Sequence, residues 1–89
     1  MHTQPHHHQV SLAVIVNGQP VEVKAAPDST LRHVAEKALH ESGNSGQPLD
    51  NWELRDAAGQ ILDWNRSVEH YHLADGAKLF LNLKAGVGG

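Results

Sequence analysis

Asn17-Gly18 stands between two stretches of alternating apolar residues, 10–16 and 19–25. This is the strongest short hairpin signal a sequence offers. A two-residue type I′ turn needs positive φ at both central positions, and Asn-Gly meets that need at least cost. The loop length then fixes the register. Val16 faces Gln19, Val14 faces Val21, Leu12 faces Val23 and Val10 faces Ala25. One face of the hairpin collects Val10, Leu12, Val14, Val21, Val23 and Ala25. Turn chemistry and hydrophobic alternation therefore specify the same pairing.

An apolar hairpin face needs a cover. Pro27-Asp28-Ser29-Thr30 ends the second strand and supplies helix caps, with Thr30 favoured as N-cap and Ser29 or Asp28 as neighbours able to serve. Leu31, Val34, Ala35, Ala38 and Leu39 follow at helical spacing and form one stripe, while Arg32, Glu36, Lys37, His40 and Glu41 take the other side. Gly43 is the expected stop. Residues 43–48 read as a loop. Trp52 to Asp56 alternates as a strand with Trp52 and Leu54 inward, 57–60 turns the chain, and 61–63 reads as a short strand. Residues 66–73 read as a turn of helix or 3₁₀ packed through Val68, Tyr71 and Leu73. Asp75-Gly76 turns again. Residues 78–84 form the last strand, with Leu79, Leu81 and Leu83 on one face and Phe80 and Asn82 on the other. The pattern predicts an α+β domain in which one helix covers a mixed sheet of four to five strands. The last strand should lie beside the first, in the sheet centre.

Composition narrows the function. With 89 residues there is room for one domain with a small core. The net charge of -3, without a Lys/Arg stripe, argues against nucleic acid as partner. The absence of cysteine excludes a disulfide framework, a thiol nucleophile and a zinc–thiolate site, and fits a reducing cytoplasm. No apolar run reaches the roughly 20 residues of a membrane span, and no signal peptide is visible. Neither membrane attachment nor a cofactor is expected. Residues 1–9 form a polar head with His6-His7-His8, read as a disordered tail and not as a metal site. His33 and His40 lie seven residues apart on the helix, about 10.5 Å along its axis, too far to share a metal. No Ser, His and Asp are spaced as a triad, so no catalytic residue is assigned.

Four local segments share one resemblance. Residues 27–34, Pro-Asp-Ser-Thr-Leu-Arg-His-Val, look like the strand-to-helix entry of ubiquitin. Ala58-Gly59-Gln60 looks like its tight turn. Residues 67–73, Ser-Val-Glu-His-Tyr-His-Leu, resemble its Thr-Leu-Ser-Asp-Tyr-Asn-Ile segment. Residues 79–84, followed by Gly88-Gly89, look like its last strand and tail. In this order they resemble the ubiquitin-like β-grasp family from Val10 to Gly89. Within that family the chain is similar to bacterial ubiquitin-like modifiers encoded beside activating-enzyme, conjugating-enzyme and deubiquitinase-like genes.

The resemblance implies a division into a head (1–9), a β-grasp domain (10–84) and a Gly-Gly tail (85–89). It implies that the protein is a substrate of enzymes and not an enzyme. Glycine has no Cβ, so an extended Gly-Gly end passes a slot too narrow for any side chain. Five extended residues reach about 17 Å. Gly89 would be the conjugating residue and Gly88 would shape the tail. The implied partners are an ATP-dependent activating enzyme, a conjugating enzyme, a deubiquitinase-like protease and a target protein, with self-association also open. Ubiquitin's binding patch maps onto Arg55, Asn82 and Phe80, which makes it mostly polar here. Of the tail's basic residues only Lys84 is present. Phe80 and Trp64, expected to face outward or sit in a turn, complete a candidate partner surface with Arg55, Asn82 and Lys84. Lys24, Lys37, Lys78 and Lys84 are candidate acceptors for self-conjugation. Tyr71 reads as a structural tyrosine whose hydroxyl bonds loop backbone, and His70 and His72 as solvated surface. Two other readings stay open: a sulfur carrier ending in a thiocarboxylate, and a β-grasp binding module with an incidental Gly-Gly.

Overall fold

The structure, a computed structural model, describes residues 9–86. The expectations placed on His6, His7, His8, Gly88 and Gly89 lie outside the described residues.

Strands β1 (Val10–Val16) and β2 (Gln19–Ala25) form the hairpin. Asn17 has φ 48° and Gly18 φ 87°, as a type I′ turn requires. The pairs Val16↔Gln19, Val14↔Val21, Leu12↔Val23 and Val10↔Ala25 all form. Val10, Leu12, Val14, Val16, Val23 and Ala25 are buried, while Val21 stays half-buried on the outer strand near the turn. Each fully buried Leu or Val contributes about 2 kcal/mol over its exposed state, so the hairpin face is worth covering.

Helix α1 (Leu31–Glu41) does the covering. Thr30 is the N-cap: its backbone is extended and its hydroxyl oxygen accepts the N–H of His33 at 3.2 Å. Leu31, Val34, Ala35, Ala38 and Leu39 are all buried. The helix ends where Gly43 takes φ 78°, and Asn44 donates its N–H back to the Leu39 carbonyl at 2.7 Å. A 3₁₀ turn, Leu49–Asn51, leads into β3 (Trp52–Asp56), and a second, Glu69–Tyr71, precedes β4 (Ala77–Leu83). The sheet order is β2-β1-β4-β3. β1 and β4 are parallel neighbours in the centre, and both flanking pairs are antiparallel. This is the ubiquitin-like β-grasp arrangement, one helix on a four-stranded mixed sheet.

One expected strand does not form. Residues 61–63 make only a single bridge, Ile61 to Arg55. After Leu62 donates its N–H to Leu54 at 2.8 Å, the chain is drawn away. Asp63 gives its N–H to the Tyr71 hydroxyl at 2.9 Å, and the Trp64 carbonyl accepts from Arg32 at 3.0 Å. Tertiary partners thus outbid the ladder for these backbone groups. The same exchange staples the helix entry to the following segment. Leu31 donates to Arg66 at 2.9 Å, and Val68 donates to Ser29 at 2.9 Å. No helix among the described residues is long and apolar enough to cross a membrane.

Candidate functional site

β3 and β4 carry most of the predicted surface. Their inner residues, Trp52, Leu54, Leu79 and Leu81, are buried in the core. Alternation sends Arg55, Phe80 and Asn82 to the opposite face. Arg55 is the register partner of Phe80, and Glu53 is the partner of Asn82. On its other side Phe80 is paired with Ile15 of β1. Phe80 is half-buried between these neighbours, and Asn82 is exposed. Arg55 is already engaged. Its Nε donates to Glu53 Oε2 at 2.9 Å, and its Nη1 donates to the Gly59 carbonyl at 2.6 Å.

Lys84 follows Phe80 and Asn82 by the same alternation, and with Trp64 it borders a second feature. They line a cleft of about 340 Å³ at the outer edge of β3, with Trp52, Glu53, Leu54, Ile61, Leu62 and Asp63. The cleft exists because 61–64 leaves β3 after one bridge. Trp64 does sit in a turn, one of its two expected places, but its side chain is half-buried against the core, and its backbone carbonyl accepts from Arg32. Among the described residues the exposed large apolar side chain is instead that of Ile61, at 54%. The sequence reading missed it by placing it in a paired strand. The signal available was its position beside Leu62: of two adjacent apolar residues on one extended segment, only one can face the core.

Tyr71 behaves as a structural tyrosine. It is half-buried, its hydroxyl accepts the Asp63 N–H, and the His70 ring meets it edge-on with centroids 4.9 Å apart. His33, His40, His70 and His72 are exposed. Among the described residues no group of three His, Asp or Glu side chains could hold a metal ion. Lys24, Lys37, Lys78 and Lys84 are exposed, and Lys37 Nζ donates to the Lys24 carbonyl at 3.1 Å. β4 ends at Leu83, Lys84 still donates its N–H to the Asn51 carbonyl at 2.8 Å, and residues 84–86 are exposed to solvent.

Solved structures that share this architecture include three ubiquitin-like proteins. Caldiarchaeum subterraneum ubiquitin superimposes with a TM-score of 0.74 at 26% identity, covering 92% of this chain and 100% of that one. A designed protein based on ubiquitin gives 0.74 at 21% identity, over 91% of this chain and 95% of the other. The ubiquitin-like domain of the Arabidopsis thaliana protein At2g32350 gives 0.69 at 19% identity, over 94% and 90%. In sequence, the chain is 43% identical over 81 residues to the uncharacterized protein y4jI of Sinorhizobium fredii (strain NBRC 101917 / NGR234). That match takes in 91% of this chain and spans 62% of the relative's length. The profile of DUF2604, a family described as "Protein of Unknown function", matches residues 5–89. The chain is thus a ubiquitin-like β-grasp protein, and it belongs to the DUF2604 family.

Proposed function

We propose that this protein is a ubiquitin-like modifier, a substrate of enzymes and not itself an enzyme. The observation that carries the reading is a Gly88-Gly89 sequence following the last strand of a ubiquitin-like fold, with residues 84–86 exposed at the end of that strand. The 26% identity to an archaeal ubiquitin over 92% of the chain supports it.

In this reading the Gly89 carboxylate attacks the α-phosphate of ATP on an activating enzyme. Pyrophosphate leaves and an acyl-adenylate forms. A cysteine thiolate of that enzyme displaces AMP and forms a thioester. The thioester passes to a conjugating enzyme's cysteine, and a target amine then displaces the thiol. Backbone pairing along the glycine tail gives affinity without side chains. Where the chain continues past Gly89, a deubiquitinase-like protease first cuts there. The partners would be bacterial and cytoplasmic, encoded beside this protein. The face of Phe80, Arg55 and Asn82 meets one of them, and the exposed Lys24, Lys37, Lys78 and Lys84 accept further copies.

The test is a denaturing, reducing blot in the source cell with partner genes expressed, comparing the intact chain with a Gly88-Gly89 deletion. The expected result is a ladder of heavier species that the deletion abolishes. A persistent ladder overturns the reading. So does its absence together with an intact mass showing sulfur in place of carboxylate oxygen, which would mark a sulfur carrier.

A further inference from the structure

We infer that the cleft at the outer edge of β3 is a docking site for an extended partner segment carrying an aliphatic side chain next to a carboxylate. The inference is independent of the tail chemistry. Its walls are apolar: Ile61, Leu62 and Trp64, with Trp52 and Leu54 behind them. Ile61 is 54% exposed here, while the other large apolar residues that line the cleft are buried or half-buried. A volume of about 340 Å³ lies at the small end of ligand sites and suits one or two side chains, not a cofactor.

The polar groups point to the rest of the ligand. Trp52 is 1% exposed, and its indole N–H is buried with no acceptor among the described residues. A buried donor without a partner is a costly state, which an incoming acceptor relieves only if the cleft wall shifts to uncover it. Both acidic residues at the cleft are already engaged. The Glu53 carboxylate is held by Arg55 at 2.9 Å. That of Asp63 accepts the Asn65 N–H at 2.9 Å and lies 3.8 Å from Arg66 Nε. Lys84 has no carboxylate partner among the described residues, so the charge left to recruit a ligand is positive. One exposed ammonium beside an apolar wall, with an unpaired indole donor buried in that wall, matches a carboxylate beside an aliphatic group. An extended chain fits best because β3 is the outer strand and 61–64 bridges it only once.

The test titrates the full chain with the blocked peptide acetyl-Asp-Leu-Ile-Asp-amide and with its Asn-Leu-Ile-Asn counterpart, following the two indole N–H signals by NMR. The acidic peptide should shift the Trp52 indole signal, because Trp52 lines the cleft. Ile61→Ser should weaken binding about tenfold through lost apolar contact. Lys84→Ala should weaken it about fivefold and erase the preference over the amide peptide. Both positions are exposed, so both variants keep the fold, which the remaining amide spectrum verifies. An unmoved Trp52 signal at millimolar peptide, equal binding of the two peptides, or insensitivity to both substitutions overturns the proposal. So would a signal that moves with protein concentration or with Val87→Ser and not with peptide, which would give the cleft to a second copy or to the chain's own tail.

Discussion

The Tyr71 hydroxyl oxygen accepts the backbone N–H of Asp63 at 2.9 Å, across a gap of eight residues. This bond ends the approach of 61–63 to β3, and so shapes the cleft lined by Trp52, Ile61 and Trp64. Tyr71→Phe should keep the ring packing and lose the bond, destabilising the protein by about 1 kcal/mol. A urea midpoint lowered without a change of slope would bear this out.

Thr30 holds the start of α1 by accepting from His33. Thr30→Ala should cost about 1 kcal/mol, and Thr30→Asn much less, because asparagine also caps. Thermal melts of the two variants, compared with the parent, separate the capping role from bulk.

Gly18 takes φ 87° in the hairpin turn, a region that side chains rarely adopt. No heavy atom of the fold lies within 4 Å of the position a Cβ would take, so the penalty for Gly18→Val is conformational alone. It should be about 1–2 kcal/mol, measured by denaturant unfolding. Because register depends on this turn, amide exchange across β1 and β2 should rise more than in α1.

Leu54 and Ile61 border the same cleft with opposite burial, 0% and 54% exposed. Leu54→Ala should cost about 3 kcal/mol, the usual range for a core leucine. Ile61→Ala should cost under about 0.5 kcal/mol. Similar losses at both positions would mean that Ile61 is a packing residue and not a surface one.

The elements that the sequence announces are those whose local chemistry agrees with their tertiary role. Asn17-Gly18 sets a register that the alternating Val and Leu residues independently demand. The Thr30 cap stands directly before a stripe of Leu31, Val34, Ala35, Ala38 and Leu39. Where a partner distant in sequence takes over, local reading fails. Ile61-Leu62-Asp63 has strand character, yet Tyr71 and Arg32 claim the N–H of Asp63 and the carbonyl of Trp64. Neither partner is visible from a window around residue 62. Trp64 is drawn inward for the same reason. Phe80, Arg55 and Asn82 were readable as a face because strand alternation alone places them, whereas the ion pair that occupies Arg55 depended on Glu53 two residues away choosing the same side.

The parallel contact of β1 with β4 has a mechanical meaning. β1 enters the sheet from the amino-terminal side and β4 leaves it toward the tail, side by side and pointing the same way. A pull on the tail against the amino-terminal end drags the two strands in opposite directions along their shared edge. All the rungs between Leu12↔Ala77 and Val16↔Leu81 are then loaded together, not peeled one at a time. A chain drawn by its tail would resist as a clamp, and its lifetime under load would be set by the rate of unfolding and not by its equilibrium stability.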